Sequence, residues 1–219
     1  MAFLPSYLKD SPINKNPIDL PTKWNISDSD NKLQVTEDKG LRVLYIDSLS
    51  QISGPGQNDR DAASIRTNHS IPREVGLYYF EVNIIDAGES GYIGIGFGVH
   101  SAFLWKLPGW EPNTFGYHGD DGKKFRSSSS MGNNYGPPFT TGDTIGCGIN
   151  FFNKTAFYTK NGICLGEAFN EINLSDYYPM IGLRSRNECI EVNFGETPFV
   201  FEIEEYAKVI FKNAQKKDA

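Results

Sequence analysis

The sequence predicts an all-β protein: a two-sheet antiparallel β-sandwich with a short C-terminal helix. Three observations predict it. Alternating apolar runs recur roughly every 10–15 residues, and no helical period interrupts them. Asn161-Gly162 joins two such runs, and Asn-Gly supplies the two positive φ angles of a type I′ hairpin turn. Aromatic residues reach 13% of the chain, and rings pack well on pleated surfaces.

The elements follow in chain order. Residues 1–32 carry four Pro among mixed polar residues and read as an extended arm, with 1–22 lying ahead of the domain itself. LRVLYID (41–47) alternates as a strand. SLSQISGPGQNDRD (48–61) is a loop punctuated by Gly54-Pro55-Gly56 and Asn58-Asp59. AASIRTN follows. In GLYYFEVNIID (76–86), Leu77, Tyr79, Glu81 and Asn83 face one way, and Tyr78, Phe80, Val82 and Ile84 the other. GYIGIGFGV (91–99) is the next strand. The crowded stretch LPGWEPNTFGYHGDDGKKF (107–125) reads as a loop: Leu107, Pro108 and Trp110 clamp it to the sheet, and Gly116, Gly119 and Gly122 let it double back. DTIGCGINFF (143–152), TAFYTK (155–160), ICLGEAF (163–169), YYPMIGLRS and ECIEVNFG complete the strands. After residue 201 the period changes. Ile203, Tyr206, Ile210, Phe211 and Ala214 fall at helical spacing, with Glu early and Lys late, as the helix dipole favours.

Composition excludes several classes. The formal net charge is −6, whereas nucleic acid or an anionic membrane demands a basic face. No apolar run approaches the ~20 residues of a membrane helix, and MAFLPSYLKD lacks the pattern of a signal peptide. Cys147, Cys164 and Cys189 are odd in number and far apart, and read as buried free thiols of a reducing compartment.

The chemistry-bearing residues read mainly as structure. GIGFG (94–98) lacks a full phosphate-loop pattern, and its glycines admit another layer or loop to a strand. Asp120 and Asp121 lack the series of a calcium loop and read as a tight turn. His69, His100 and His118 have no metal-ligand spacing, and His118 has no nucleophile elbow beside it. Glu81 and Glu191 are the carboxylate pair a glycosidase would need, but nothing in their spacing forces a pairing. No catalytic residue, metal ligand or cofactor is expected.

AASIRTNHSIPREVGLYYFEVNII, GYIGIGF, the 107–125 stretch, FTTGDTIGCGINFFNKTAFYTKNG, YYPMIGL and VNFGETPFVFEIEEY together resemble a SPRY domain, over about residues 20–206. LPGW followed by FGYHGDDG, together with Leu20, Pro21 and Trp24, resembles the RanBPM family in particular. The resemblance implies a bent, concanavalin-like sandwich over residues 23–201 with no catalytic activity. Its rim loops would bind a peptide or a partner subunit. It further implies a scaffold subunit of a GID/CTLH ubiquitin ligase in the cytoplasm and nucleus, with other ligase subunits as partners. The helix at 202–219 would lead towards helical domains that this chain lacks.

The binding surface is expected where the loops 50–58, 123–138 and 183–188 meet. Its candidate residues are Ser53, Gly54, Pro55, Gln57, Tyr117, Phe125, Arg126, Arg184, Ser185 and Arg186. Arg184 and Arg186 would meet an acidic residue of the partner, and Pro55 and Phe125 an apolar one. Phe103 and Trp105 form a second patch that either touches a partner or folds under the loop. The alternative reading is a sandwich that binds or cleaves glycans, which would need a metal or an Asp/Asn cluster beneath an exposed ring.

Overall fold

Alternating apolar runs close on one another as two antiparallel sheets. A computed structural model describes residues 4–9, 11, 19–36, 39–46, 59–128 and 132–217. The first sheet contains β1 (Trp24–Ser29), β4 (Ala63–Thr67), β13 (Tyr177–Leu183), β6 (Gly94–Val99), β7 (Thr114–His118), β8 (Lys123–Arg126) and β9 (Asn133–Asn134), in that spatial order. The second contains β12 (Ile163–Phe169), β11 (Thr155–Lys160), β10 (Thr144–Asn150), β5 (Leu77–Ala87), β14 (Glu188–Asn193), β3 (Arg42–Tyr45) and β2 (Leu33–Val35). The sandwich and the terminal helix match the expectation.

Tyr78, Phe80, Val82 and Ile84 of β5 line the space between the sheets, where Tyr158 of β11 meets Tyr117 of β7 at 5.2 Å between ring centroids. The opposite face of β5 is buried as well. Tyr79 lies against Phe199 and Phe201, and Phe157 of β11 against Tyr206, which belongs to α1 (Ile203–Lys217). Gly146 and Gly148 of β10 make room there: a Cβ at Gly146 would stand 1.9 Å from the Tyr79 hydroxyl, and one at Gly148 2.3 Å from the Phe157 ring. Helix α1 buries Ile203, Ala207 and Phe211 on this outer face, and its first turn carries Glu204 and Glu205.

Two polar clamps hold the flanking segments. The Tyr7 hydroxyl accepts from Tyr79 N (2.9 Å) and donates to Tyr79 O (3.3 Å), which pins the turn Ser6–Leu8 to β5. The buried Glu81 carboxylate accepts from the Tyr79 hydroxyl and from the N–H groups of Val200 and Phe201, all at 2.9 to 3.0 Å. Burying a charge is tolerable when its lone pairs are matched by donors.

Several expectations need correction. The stretch 1–32 is not all arm, because Trp24–Ser29 pairs with β4. Its polar outer residues concealed it. The stretch 107–125 is not one loop, because Phe115 and Tyr117 point inward as β7 and its hairpin partner is β8. Cys147 and Cys189 are buried, but Cys164 is exposed, on the edge strand β12.

Candidate functional site

Strand register assembles the site. Gly94 of β6 lies opposite both Gly182 of β13 and His118 of β7, and Leu183 lies opposite Ala63 of β4. Four strands therefore reach one rim together, and the residues just beyond that row, at 59, 92, 120 and 184, become neighbours. Glycines form a bare lane on the outer face of this sheet. Into it drops the segment 104–110, held by Ser64, whose N–H donates to Leu104 O (2.7 Å) and whose hydroxyl donates to Lys106 O (2.6 Å). A Cβ at Gly116 would sit 2.1 Å from Pro108 O, and one at Gly182 2.7 Å from Leu107. The glycines admit a loop, and the Leu-Pro-Gly-Trp clamp packs on the sheet, as the sequence suggests.

The result is an open cleft of about 400 Å³. Its aromatic wall is Tyr92, Trp110 and the edge of Phe125; its polar wall is Asp59, Asp120, Asp121, Lys123 and Arg184. The Arg184 guanidinium lies 4.6 Å from the Tyr92 ring centroid and 5.6 Å from that of Trp110, and its Nη2 stands 3.4 Å from Asp59 Oδ1. Its side chain is 13% exposed and that of Asp59 59%. The Trp110 indole N–H is buried and has no hydrogen-bond partner among the described residues.

Beneath the wall, His118 stacks on Phe125 with centroids 4.1 Å apart, and its Nε2 pairs with Pro108 O at 2.8 Å. Burial holds the imidazole pKa down to about 4, with Arg184 adding to the effect and the Pro108 carbonyl and Asp121 opposing it. The ring is therefore neutral at pH 7 and donates to Pro108. Burial, followed by the neighbouring Asp121, raises the Asp120 pKa. Behind Arg184, Glu188 is buried and pushed up to about 7, although Ser185 and the backbones of Arg184, Ser185 and Tyr92 donate to it. Glu188 accepts from Arg184 N (2.5 Å), Ser185 N (2.9 Å) and the Ser185 hydroxyl (2.6 Å), so it sets the turn that presents Arg184.

The expected residues are partly brought together. Arg184 and Phe125 line the cleft. Tyr117 cannot reach a partner: it is fully buried, with its hydroxyl donating to Pro137 O and its ring among Tyr135, Phe139 and Tyr158. Ser185 is fully buried and serves Glu188. Arg126 is exposed, but it donates to the carbonyls of Asn170 and Glu171 and lies over Phe115, outside the cleft. Arg186 is half-buried and does not line the cleft either. Ser53, Gly54, Pro55 and Gln57 lie outside the described residues. Sequence reasoning missed Asp59, Tyr92 and the indole of Trp110 as wall residues. Glu81 is spent on Val200 and Phe201, and Glu191 on Arg42 at 2.5 Å, so neither offers a free catalytic carboxylate. Among the described residues, no three His, Cys, Asp or Glu are placed to hold a metal, and no helix is long and apolar enough to cross a membrane.

A rigid antiparallel frame with a mixed aromatic and polar cleft at its rim defines a β-sandwich recognition domain. Residues 77–197 match the SPRY domain model, and the chain belongs to that family. Within it, the RanBPM resemblance is confirmed. The chain is 45% identical to Ran-binding protein 10 of Danio rerio over 89% of its own length, and 45% identical to Ran-binding protein 9 of Homo sapiens over 86%. It is 35% identical to the Ran-binding protein M homolog of Arabidopsis thaliana over 86%. It spans 30%, 25% and 38% of those relatives' lengths. A crystal structure of a human SPRY domain superposes with TM-score 0.64 and 26% identity, covering 77% of this chain and 98% of that one. The SPRY domain of human HERC1 shares the fold, at TM-score 0.59 and 15% identity over 80% of this chain and 99% of that one. As a SPRY domain of this family, the chain is a protein-interaction module.

Proposed function

We propose that the rim cleft holds an extended peptide of a partner protein, without catalysis. The observation that carries this is Arg184, whose guanidinium lies over the Tyr92 ring and near Trp110 on the wall of the cleft. A peptide backbone has N–H groups for which Asp120 and Asp121 on the polar wall are acceptors. An acidic side chain of the peptide would displace the exposed Asp59 from Arg184, and a pre-stacked guanidinium loses little freedom on binding. Ser53, Gly54, Pro55 and Gln57 precede Asp59 in sequence and would complete the rim, with Pro55 and Phe125 receiving an apolar residue.

On the strength of the family resemblance, the larger role is that of a domain that binds a peptide or a partner subunit in the scaffold of a GID/CTLH-type ubiquitin ligase of the cytoplasm and nucleus. The boundaries follow the same reading: an arm at 1–22, the recognition domain at 23–201 and a connecting helix at 202–219. The test is capture of purified ligase subunits, and of Ran, which names the relatives, by the wild-type chain and its variants. Arg184→Ala should weaken capture at least about tenfold, since losing one partner of a desolvated charge pair costs roughly 2–5 kcal/mol. Arg186→Ala should cost less than about threefold, because Arg186 does not line the cleft. Lys216→Glu with Lys217→Glu, far along the helix, should change nothing. Equal effects of the two arginine variants would place the interaction outside the cleft.

A further inference from the structure

The segment that closes the cleft also displays two rings to solvent. Phe103 is 54% and Trp105 43% exposed, and their rings stack at 5.4 Å between centroids and 27° between planes. Lys106 Nζ lies 4.5 Å from the Trp105 centroid. The backbone that carries the pair is fixed. Arg66 donates to Ala102 O (2.8 Å) and grips both oxygens of Asp28 at 2.8 Å, while Ser64 holds the carbonyls of Leu104 and Lys106. Two large stacked rings on a hydrogen-bonded backbone resemble the aromatic anchors of interfaces, where a fixed backbone reduces the freedom lost on binding.

The pair is continuous with the cleft. Leu107, two residues past Trp105, lines it, so their Cα atoms are at most ~7 Å apart. We propose that Phe103 and Trp105 are a second anchor for the same peptide. They would take a proline or aliphatic side chain placed roughly two to four residues from the acid that meets Arg184, at ~3.3 Å per extended residue. Lys106 supplies positive charge at this end, which suits an acidic peptide. The inference rests on the cleft reading above.

The test is selection from a display library of short random peptides, run on the wild-type chain, on Phe103→Ala with Trp105→Ala, and on Arg184→Ala. On the wild type, enriched peptides should pair an acid with an apolar residue at the stated spacing. On the double variant the acid should remain selected and the apolar position should randomise; on Arg184→Ala the reverse should hold. Independently of any protein variant, replacing the selected apolar residue by Ala in a synthetic peptide should weaken binding to the wild type about tenfold. Acid selection without apolar selection overturns the second anchor and leaves the cleft reading standing. No enrichment on the wild type overturns both. Self-association lost in the double variant, with no apolar preference among selected peptides, overturns it in favour of a contact between two copies.

Discussion

Single residues set both the tolerance and the titration of this domain. Gly116 is a strict position, because a Cβ there would meet the Pro108 carbonyl at 2.1 Å, whereas at Gly94 it would meet the His118 ring and Pro108 at 3.1 Å. Gly116→Ala should cost about 1–3 kcal/mol and shift the fluorescence of the indole in the segment it displaces, and Gly94→Ala should cost less; denaturant melts of the two decide. His118 and Glu188 titrate in opposite senses. The folded pKa of His118, about 4, lies below its unfolded value of about 6.5. The unfolded chain therefore binds the extra proton, and this contribution is present above pH ~6.5 and lost as pH falls through 4. The folded pKa of Glu188, about 7, lies above its unfolded value of about 4.3. Its contribution is full below that value and is lost as pH rises through 7. Each slope approaches 1.4 kcal/mol per pH unit, and between pH ~4.5 and ~6.5 they oppose each other. Relative to wild type, His118→Gln should lose stability with rising pH across that window and Glu188→Gln should gain it. Urea melts at several pH values, if they gave parallel curves, would remove both assignments. Cys164 is exposed while Cys147 and Cys189 are buried, so a thiol reagent should label one cysteine rapidly and the other two only on unfolding.

At the scale of elements, the turns and strands that the sequence reveals are those whose pattern is local. Asn161 and Gly162 have φ of +50° and +79°, as a type I′ turn requires, and a Cβ on Gly162 would stand 3.0 Å from Val200 O. Gly162→Val should therefore cost on the order of 1 kcal/mol or more, read as a lowered Tm; an unchanged Tm would show the turn to be unimportant. Helix α1 was legible from its stripe, and it docks by that stripe, with Phe211 against Phe152 and Tyr206 against Phe157. Truncation after Gly195 would bare Tyr79 and Phe157 and strip two donors from Glu81, so solubility should fall and a hydrophobic dye should bind. Strand β7 was hidden because turn residues crowd in front of it and Gly116 interrupts its five residues; the alternation of Phe115 and Tyr117 was the signal available. The cleft was half legible. Arg184 stands out in an acidic chain, but its neighbours Tyr92 and Asp59 arrive through the pairing of β13 with β6 and β4, which no local pattern encodes. Tyr117 misled for the converse reason: a Tyr beside glycines has the composition of a binding loop, and only strand alternation turns it inward.

The whole molecule is two faces with different duties. The outer face of the first sheet carries the glycine lane, the segment laid into it and the cleft. The outer face of the second carries Tyr7, α1 and the Glu81 clamp. This separation changes how the domain answers to force. Traction applied through the Ser6–Leu8 turn and α1 would load β5 and the Glu81 hydrogen bonds, and would draw that turn away from the helix it touches. That load also has a direct route to the cleft, because Glu188, which sets the turn that presents Arg184, lies opposite Ala87 of β5.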